Sequence, residues 1–140
     1  QQVSSAASDV YKRQVVENLR REEQVTGYDL VVVCVDRPEP RRLVHGLDTR
    51  WLDVRCSGDG WMALSSDSHP ALLARMTPDH EPASCQVAGA LDAGNLEFGF
   101  AVAAAFGAQW ALQTWRGQTA PVQSMGSLTY GALSFPEVKA

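Results

Sequence analysis

The 140-residue sequence predicts an α/β protein: a Rossmann-like sheet with flanking helices, incomplete, and extended by a strand pair. Three observations carry this reading. Residues 29–35 (DLVVVCV) are a continuous apolar, β-branched run, the pattern of a strand buried on both faces. Residues 51–56 and 61–65 are two more strand-like runs, separated by the hairpin-type turn Ser57-Gly58-Asp59-Gly60. Residues 95–115 carry a helical repeat in which Phe98, Val102, Phe106 and Trp110 recur at every fourth position. Strands alternating with helices indicate a layered α/β sheet. With 45% apolar and 20% charged residues the chain can form a core, which excludes wholesale disorder.

Taken in order, residues 3–14 (VSSAASDVYKRQ) show neither helical periodicity nor strand alternation. They resemble a translated sequencing-adapter remnant; on that reading residues 15–140 are the native sequence and an N-terminal part lies upstream. The other reading is a disordered tail. The segment has no apolar stretch of the kind a signal peptide needs. Residues 15–24 suit a short helix with Val15, Val16 and Leu19 on one face, ended by Gly27. The strand at 29–35 follows, with Asp36 at its carboxyl end. Residues 37–45 are a loop entering a short helix, since Pro38 and Pro40 are tolerated only near a helix start. After the hairpin, residues 66–84 read as loop, with one helical turn at 71–76 opened by Ser68 and Pro70. In the long helix, Ala101, Ala104, Ala105 and Ala108 form a small face for close packing on the sheet, or for a subunit contact. Its uncharged stretch 98–115 is built on Ala and Gly and contains Gln109 and Gln113, so it reads as a buried helix. A membrane span needs about 20 predominantly apolar residues. Gly117 ends the helix, and residues 128–135 form a last strand closed by Pro136.

Composition excludes several functions. A net charge of −4 without a basic stripe argues against nucleic-acid binding. Cys34, Cys56 and Cys85 are odd in number and none has CxxC spacing, which argues against a disulfide framework and a four-thiolate zinc site and makes a reducing cytoplasm the default compartment. His45, His69 and His80 have no metal-type spacing. No glycine-rich phosphate loop is present, because Gly58-x-Gly60 lies between two strands. Open α/β sheets bind ligands beyond the carboxyl ends of their strands. Asp36 sits at such an end, where a carboxylate can hold Mg²⁺ on a nucleotide phosphate or bond a ribose. Arg41 and Arg42 follow and can steady phosphate or carboxylate. The alternative is that Asp36 caps the next helix and the arginines are surface charges. Cys85 is a loop thiol, nucleophilic if cationic neighbours such as His80 lower its pKa, and otherwise inert. Cys34 and Cys56 fall inside strands and read as core.

Two stretches together resemble the E1-like activating enzymes, the family of ThiF, MoeB and the ubiquitin-activating enzymes. In the first, Asp29-Leu-Val-Val-Val-Cys-Val-Asp36, the strand ends in the family's aspartate and Arg41 stands five residues on. Arg37 stands where the family has asparagine, His45 replaces its later asparagine, and Val33 replaces an acidic residue. The second stretch, Cys85-Gln-Val-Ala-Gly89-Ala-Leu with its Gly- and Ala-rich helix through Gln113, is similar to the family's Cys-x-x-x-Gly-Val-Leu segment. The resemblance covers residues 15–117.

The resemblance implies ATP and Mg²⁺ as cofactors and adenylation of the C-terminal carboxylate of a ubiquitin-like or sulfur-carrier protein, or of a peptide or small acid. It implies Asp36 as the metal- and phosphate-side acid, Arg41 as its orienting or nucleotide-side partner, and Cys85 as the thiol that takes up sulfur or an acyl group. It also implies that a homodimer can form. The family's glycine-rich nucleotide loop precedes the matched region and its zinc-binding CxxC pairs are missing, so the 140 residues are expected to be inactive alone and zinc is not expected. The alternative is a non-catalytic E1-like module that binds a partner or dimerises. A dehydrogenase fragment lacks support, having neither the glycine fingerprint nor a ribose acid.

Overall fold

The computed structural model describes residues 13–138. Five strands form one mixed sheet whose spatial order is the chain order: β1 (Leu30–Val33), β2 (Arg50–Ser57), β3 (Gly60–Ser65), β4 (Gln123–Ser127) and β5 (Gly131–Ala132). Three α-helices flank it: α1 (Pro38–His45), α2 (Pro70–Met76) and α3 (Gly99–Trp115). β1 and β2 run parallel, from Leu30↔Arg50 to Val33↔Asp53, with α1 as their crossover. All other pairings are antiparallel. The fold is therefore α/β, one βαβ unit extended by antiparallel strands.

Alternation along β2 decides the layers, because successive side chains point to opposite faces. Leu52 and Val54 join Ala63 of β3 and Ala103 and Trp110 of α3 in one apolar cluster. Trp51 turns the other way and joins Val33 and Val44, with Leu73 of α2 packed against them. Thus α1 and α2 cover one face and α3 the other.

The approach of α3 needs glycine at two points. A Cβ on Gly107 would lie 3.3 Å from Val54 Cγ2. One on Gly99 would lie 2.4 Å from the Gly60 carbonyl oxygen, so the helix can start on the hairpin turn only without a side chain there. Trp110 Nε1 donates to the Pro121 carbonyl at 2.8 Å and fixes the far end.

Several expected elements change. Residues 15–24 hold only a 3₁₀ turn, Glu22–Gln24. Val15 and Val16 are exposed, and the Gln24 side chain accepts from the backbone N–H groups of Arg20 and Arg21, so the chain tightens locally instead of winding an amphipathic helix. The run at 29–35 is not buried on both faces. α3 lies over β2 and β3 and leaves the β1 side open, so Val32 is 43% exposed and Cys34 is exposed. The long helix starts at Gly99, not residue 95. Its buried face is Gly99, Ala103, Gly107 and Trp110, while Phe98 is exposed and Ala101, Ala104, Ala105 and Ala108 face outward. Small residues do allow the close approach, but on a different stripe. The expected strand at 128–135 is only β5. Asp59 pins the preceding turn, accepting from Ser127 Oγ at 2.6 Å and from the Thr129 N–H at 3.0 Å. The adapter-like segment lies outside the described residues except Arg13 and Gln14, which are exposed. Among the described residues no helix is long and apolar enough to cross a membrane.

Candidate functional site

The carboxyl ends of β1 and β2 open into a cleft of about 960 Å³, bounded by the flank of α3 and by residues of the 80–85 loop. Asp36, Arg41 and Cys85, drawn from three separate segments, all line it, as does His80. A second hollow of about 520 Å³, between β4 and the 132–138 segment, contains none of these residues.

Asp36 is exposed and, among the described residues, is the one carboxylate on the cleft wall. It is not a helix cap: Arg37 holds the N-cap position of α1, no side chain caps it, and Pro38 follows. Nor is Arg41 a surface charge. It is 6% exposed and bonds the Asp53 carboxylate and the Val35 carbonyl, with a further bond to the Val54 carbonyl at 3.3 Å. Its hold on Val35 fixes the backbone immediately before Asp36. Arg42 diverges from it, bonding Asp79 at 2.7 Å and the Thr77 carbonyl at 2.9 Å.

Asp53 is the centre of this network and is fully buried in the middle of β2. Besides Arg41, it accepts from His45 Nε2 at 2.9 Å and from Arg55 Nη2 at 2.6 Å. Burial pushes its carboxyl up, but hydrogen bonds from His45 and Arg55 and the charges of Arg55 and Arg41 outweigh that, leaving it below the usual carboxylate range. Burial pulls Arg41 down from its ordinary value, and Asp53 opposes the change. His45 also stacks on Trp51, with ring centroids 4.6 Å apart. Arg55 reaches the Met76 carbonyl and Thr77 Oγ1, the latter at 2.7 Å, and so ties the end of α2 to the sheet. His45 and Val33 are thus built in, His45 holding Asp53 and Val33 lying in the apolar cluster, while Arg37 is exposed.

Cys85 is exposed, and its carbonyl accepts from the Gly58 N–H at 2.9 Å, which hooks the loop to the hairpin turn. His80 shares the cleft, and its Nδ1 donates to the Glu81 carbonyl at 2.7 Å. Cys34 is not core as expected but exposed, whereas Cys56 packs against the α3-side apolar cluster; both line the cleft. Alternation places them on the face that α3 covers only partly.

Among the described residues no group of three His, Cys, Asp or Glu side chains could hold a metal ion by itself. One cleft carboxylate fits the habit of Mg²⁺, which takes one or two carboxylates and fills its remaining positions with phosphate oxygens and water. It does not fit zinc. The sequence reading missed Asp53. Its signals were Arg55 two residues on, on the same strand face, and Arg41 and His45 four apart on one helix face. No family model, no curated protein and no solved structure matches the chain.

Proposed function

We propose that this cleft belongs to an E1-like, ATP-dependent adenylyltransferase that activates the C-terminal carboxylate of a ubiquitin-like or sulfur-carrier protein, or of a peptide or small acid. The observation that supports it is the meeting of Asp36, Arg41 and Cys85 on one cleft beyond parallel strand ends. Asp36 would hold Mg²⁺, which supplies charge neutralisation at the phosphates of ATP. Arg41 is a positioning residue: its bonds to Val35 and Asp53 keep the Asp36 backbone in place. Cys85 presents a thiol to the cleft, where it can take up sulfur or an acyl group. The reading puts the protein in the reducing cytoplasm and allows a homodimer through the outward alanines of α3. It also needs a glycine-rich phosphate loop from outside residues 13–138, so the 140 residues alone are expected to give no ATP–pyrophosphate exchange.

The test is that exchange assay on a protein that joins this sequence to such a loop, with carrier-protein C-terminal peptides as substrates. Asp36→Ala is expected to lower the rate about 10²-fold or more. An unchanged rate overturns the assignment of Asp36, and exchange by the 140 residues alone overturns the need for the loop. A second reading, a non-catalytic module of the same kind, is favoured by the engagement of Arg41 with Asp53 and Val35. Absence of ATP binding in the loop-containing protein would select it.

A further inference from the structure

The three cysteines come from β2, from the 80–85 loop and from the residue after β1, yet all line one cleft. Cys56 and Cys85 are brought together by the backbone: the Gly58 N–H bond to the Cys85 carbonyl at 2.9 Å holds the loop against the hairpin turn two residues beyond Cys56, and both side chains line the same cleft. The two thiols differ in environment. Cys85 is exposed, whereas Cys56 is partly buried. Burial and the neighbouring Cys85 and Cys34 thiols push the Cys56 thiol up to about 11, so it stays protonated near neutral pH. Cys34 opens on the same cleft, but desolvation pushes its thiol up as well.

We propose that Cys85 and Cys56 form an oxidisable dithiol on the cleft, in which Cys85 reacts first with hydrogen peroxide and Cys56 resolves it to an intramolecular disulfide. In the first step the Cys85 thiolate sulfur attacks one peroxide oxygen. The O–O bond breaks, the other oxygen leaves as hydroxide and is protonated to water, and Cys85 becomes a sulfenic acid. In the second step the Cys56 sulfur attacks the Cys85 sulfur. The S–O bond breaks, the hydroxide takes the Cys56 proton, and a second water leaves. The two thiols together lose two electrons and two hydrogens, and one peroxide is reduced to two waters. The assignment of roles follows from exposure: the peroxide reaches Cys85 from solvent, and the half-buried Cys56 lines the same cleft at the end of β2, beside the turn to which the Cys85 backbone is bonded. The disulfide would tie the 80–85 loop to the sheet and withdraw Cys85 from any other chemistry. The proposal does not depend on what the cleft activates.

The test treats the 140-residue chain with hydrogen peroxide, alkylates the remaining thiols, and maps the cysteines by mass spectrometry after proteolysis. The expected result is loss of two of the three free thiols, a Cys56–Cys85 cross-linked peptide pair lighter by two hydrogens, alkylated Cys34, and full recovery with dithiothreitol. Cys34→Ala should leave the cross-link unchanged. Cys56→Ala should stop Cys85 at the sulfenic acid, trapped as its dimedone adduct, and Cys56→Ser repeats this measurement if the alanine variant fails to fold. A bridge involving Cys34, bridges only between chains, or Cys85 sulfinic acid beside alkylated Cys56 in the unsubstituted chain would each overturn the proposal.

Discussion

The two faces of β2 are made from one run of sequence and are held by different physics. On the α1 and α2 side, Asp53 and Arg55 meet Arg41 and His45 in a directional network whose members each have a named partner. On the α3 side, Leu52 and Val54 meet Ala103, Gly107 and Trp110 through shape. A polar face fails when one member is removed, because a buried charge is left without its partner. An apolar face fails when volume is added, because a dense interior has little slack.

The sharpest way to break this contrast is Asp53→Ala, which strands Arg41 and Arg55 beneath the helices. It should cost about 3–5 kcal/mol by urea denaturation, and a loss under about 1 kcal/mol would mean the network is not structural. On the opposite face, Gly107→Leu should cost about 1–3 kcal/mol by forcing α3 away from Val54. Acid should separate the faces next. The Asp53 carboxyl lies below its ordinary value in the folded protein, so its stabilisation is complete above the unfolded carboxylate pKa of about 3.9 and is lost as pH falls from there toward the folded value. Unfolding free energy should fall in that window by up to about 1.4 kcal/mol per pH unit from this group. A pH titration of Asp53→Ala should lack that component; an identical acid profile would assign the loss elsewhere. The smallest effect is expected for Gly107→Ala. Its Cβ needs only a small shift of Val54, and the helix gains up to about 1 kcal/mol in propensity, so the melting point should barely move.

The apolar face was largely legible in the sequence and the polar face was not. Hydrophobic runs and the Gly-Asp turn locate β2 and β3, since burial and turn chemistry are local signals. The period-four stripe correctly marks a long helix, and its Trp110 and Phe106 do pack on the core, but the alanine face expected to approach the sheet points outward: glycines at 99 and 107 carry no hydrophobic weight, yet they permit the contact. Asp53 escaped because a charge inside a strand reads as solvent-facing, and two of its partners, Arg41 and His45, lie on a separate helix. Arg41 was singled out from spacing, but only the fold shows that it is buried and grips the carbonyl before Asp36. Among the candidate residues, the shared cleft of Asp36, Arg41 and Cys85 is a product of topology that spacing alone could not supply.

The linear order of the sheet carries a kinetic consequence. β2 and β3 are joined by a two-residue turn, and β1 reaches β2 through a single short helix. These pairings close small loops and can form early. β4 can join β3 only after everything between Ser65 and Gln123, including α2 and α3, has been looped. Relative to the hairpin, that closure costs about 2–3 kcal/mol more in chain entropy. The last strands should therefore dock late, as a second event in refolding, with α3 already seated on the early core or arriving together with β4.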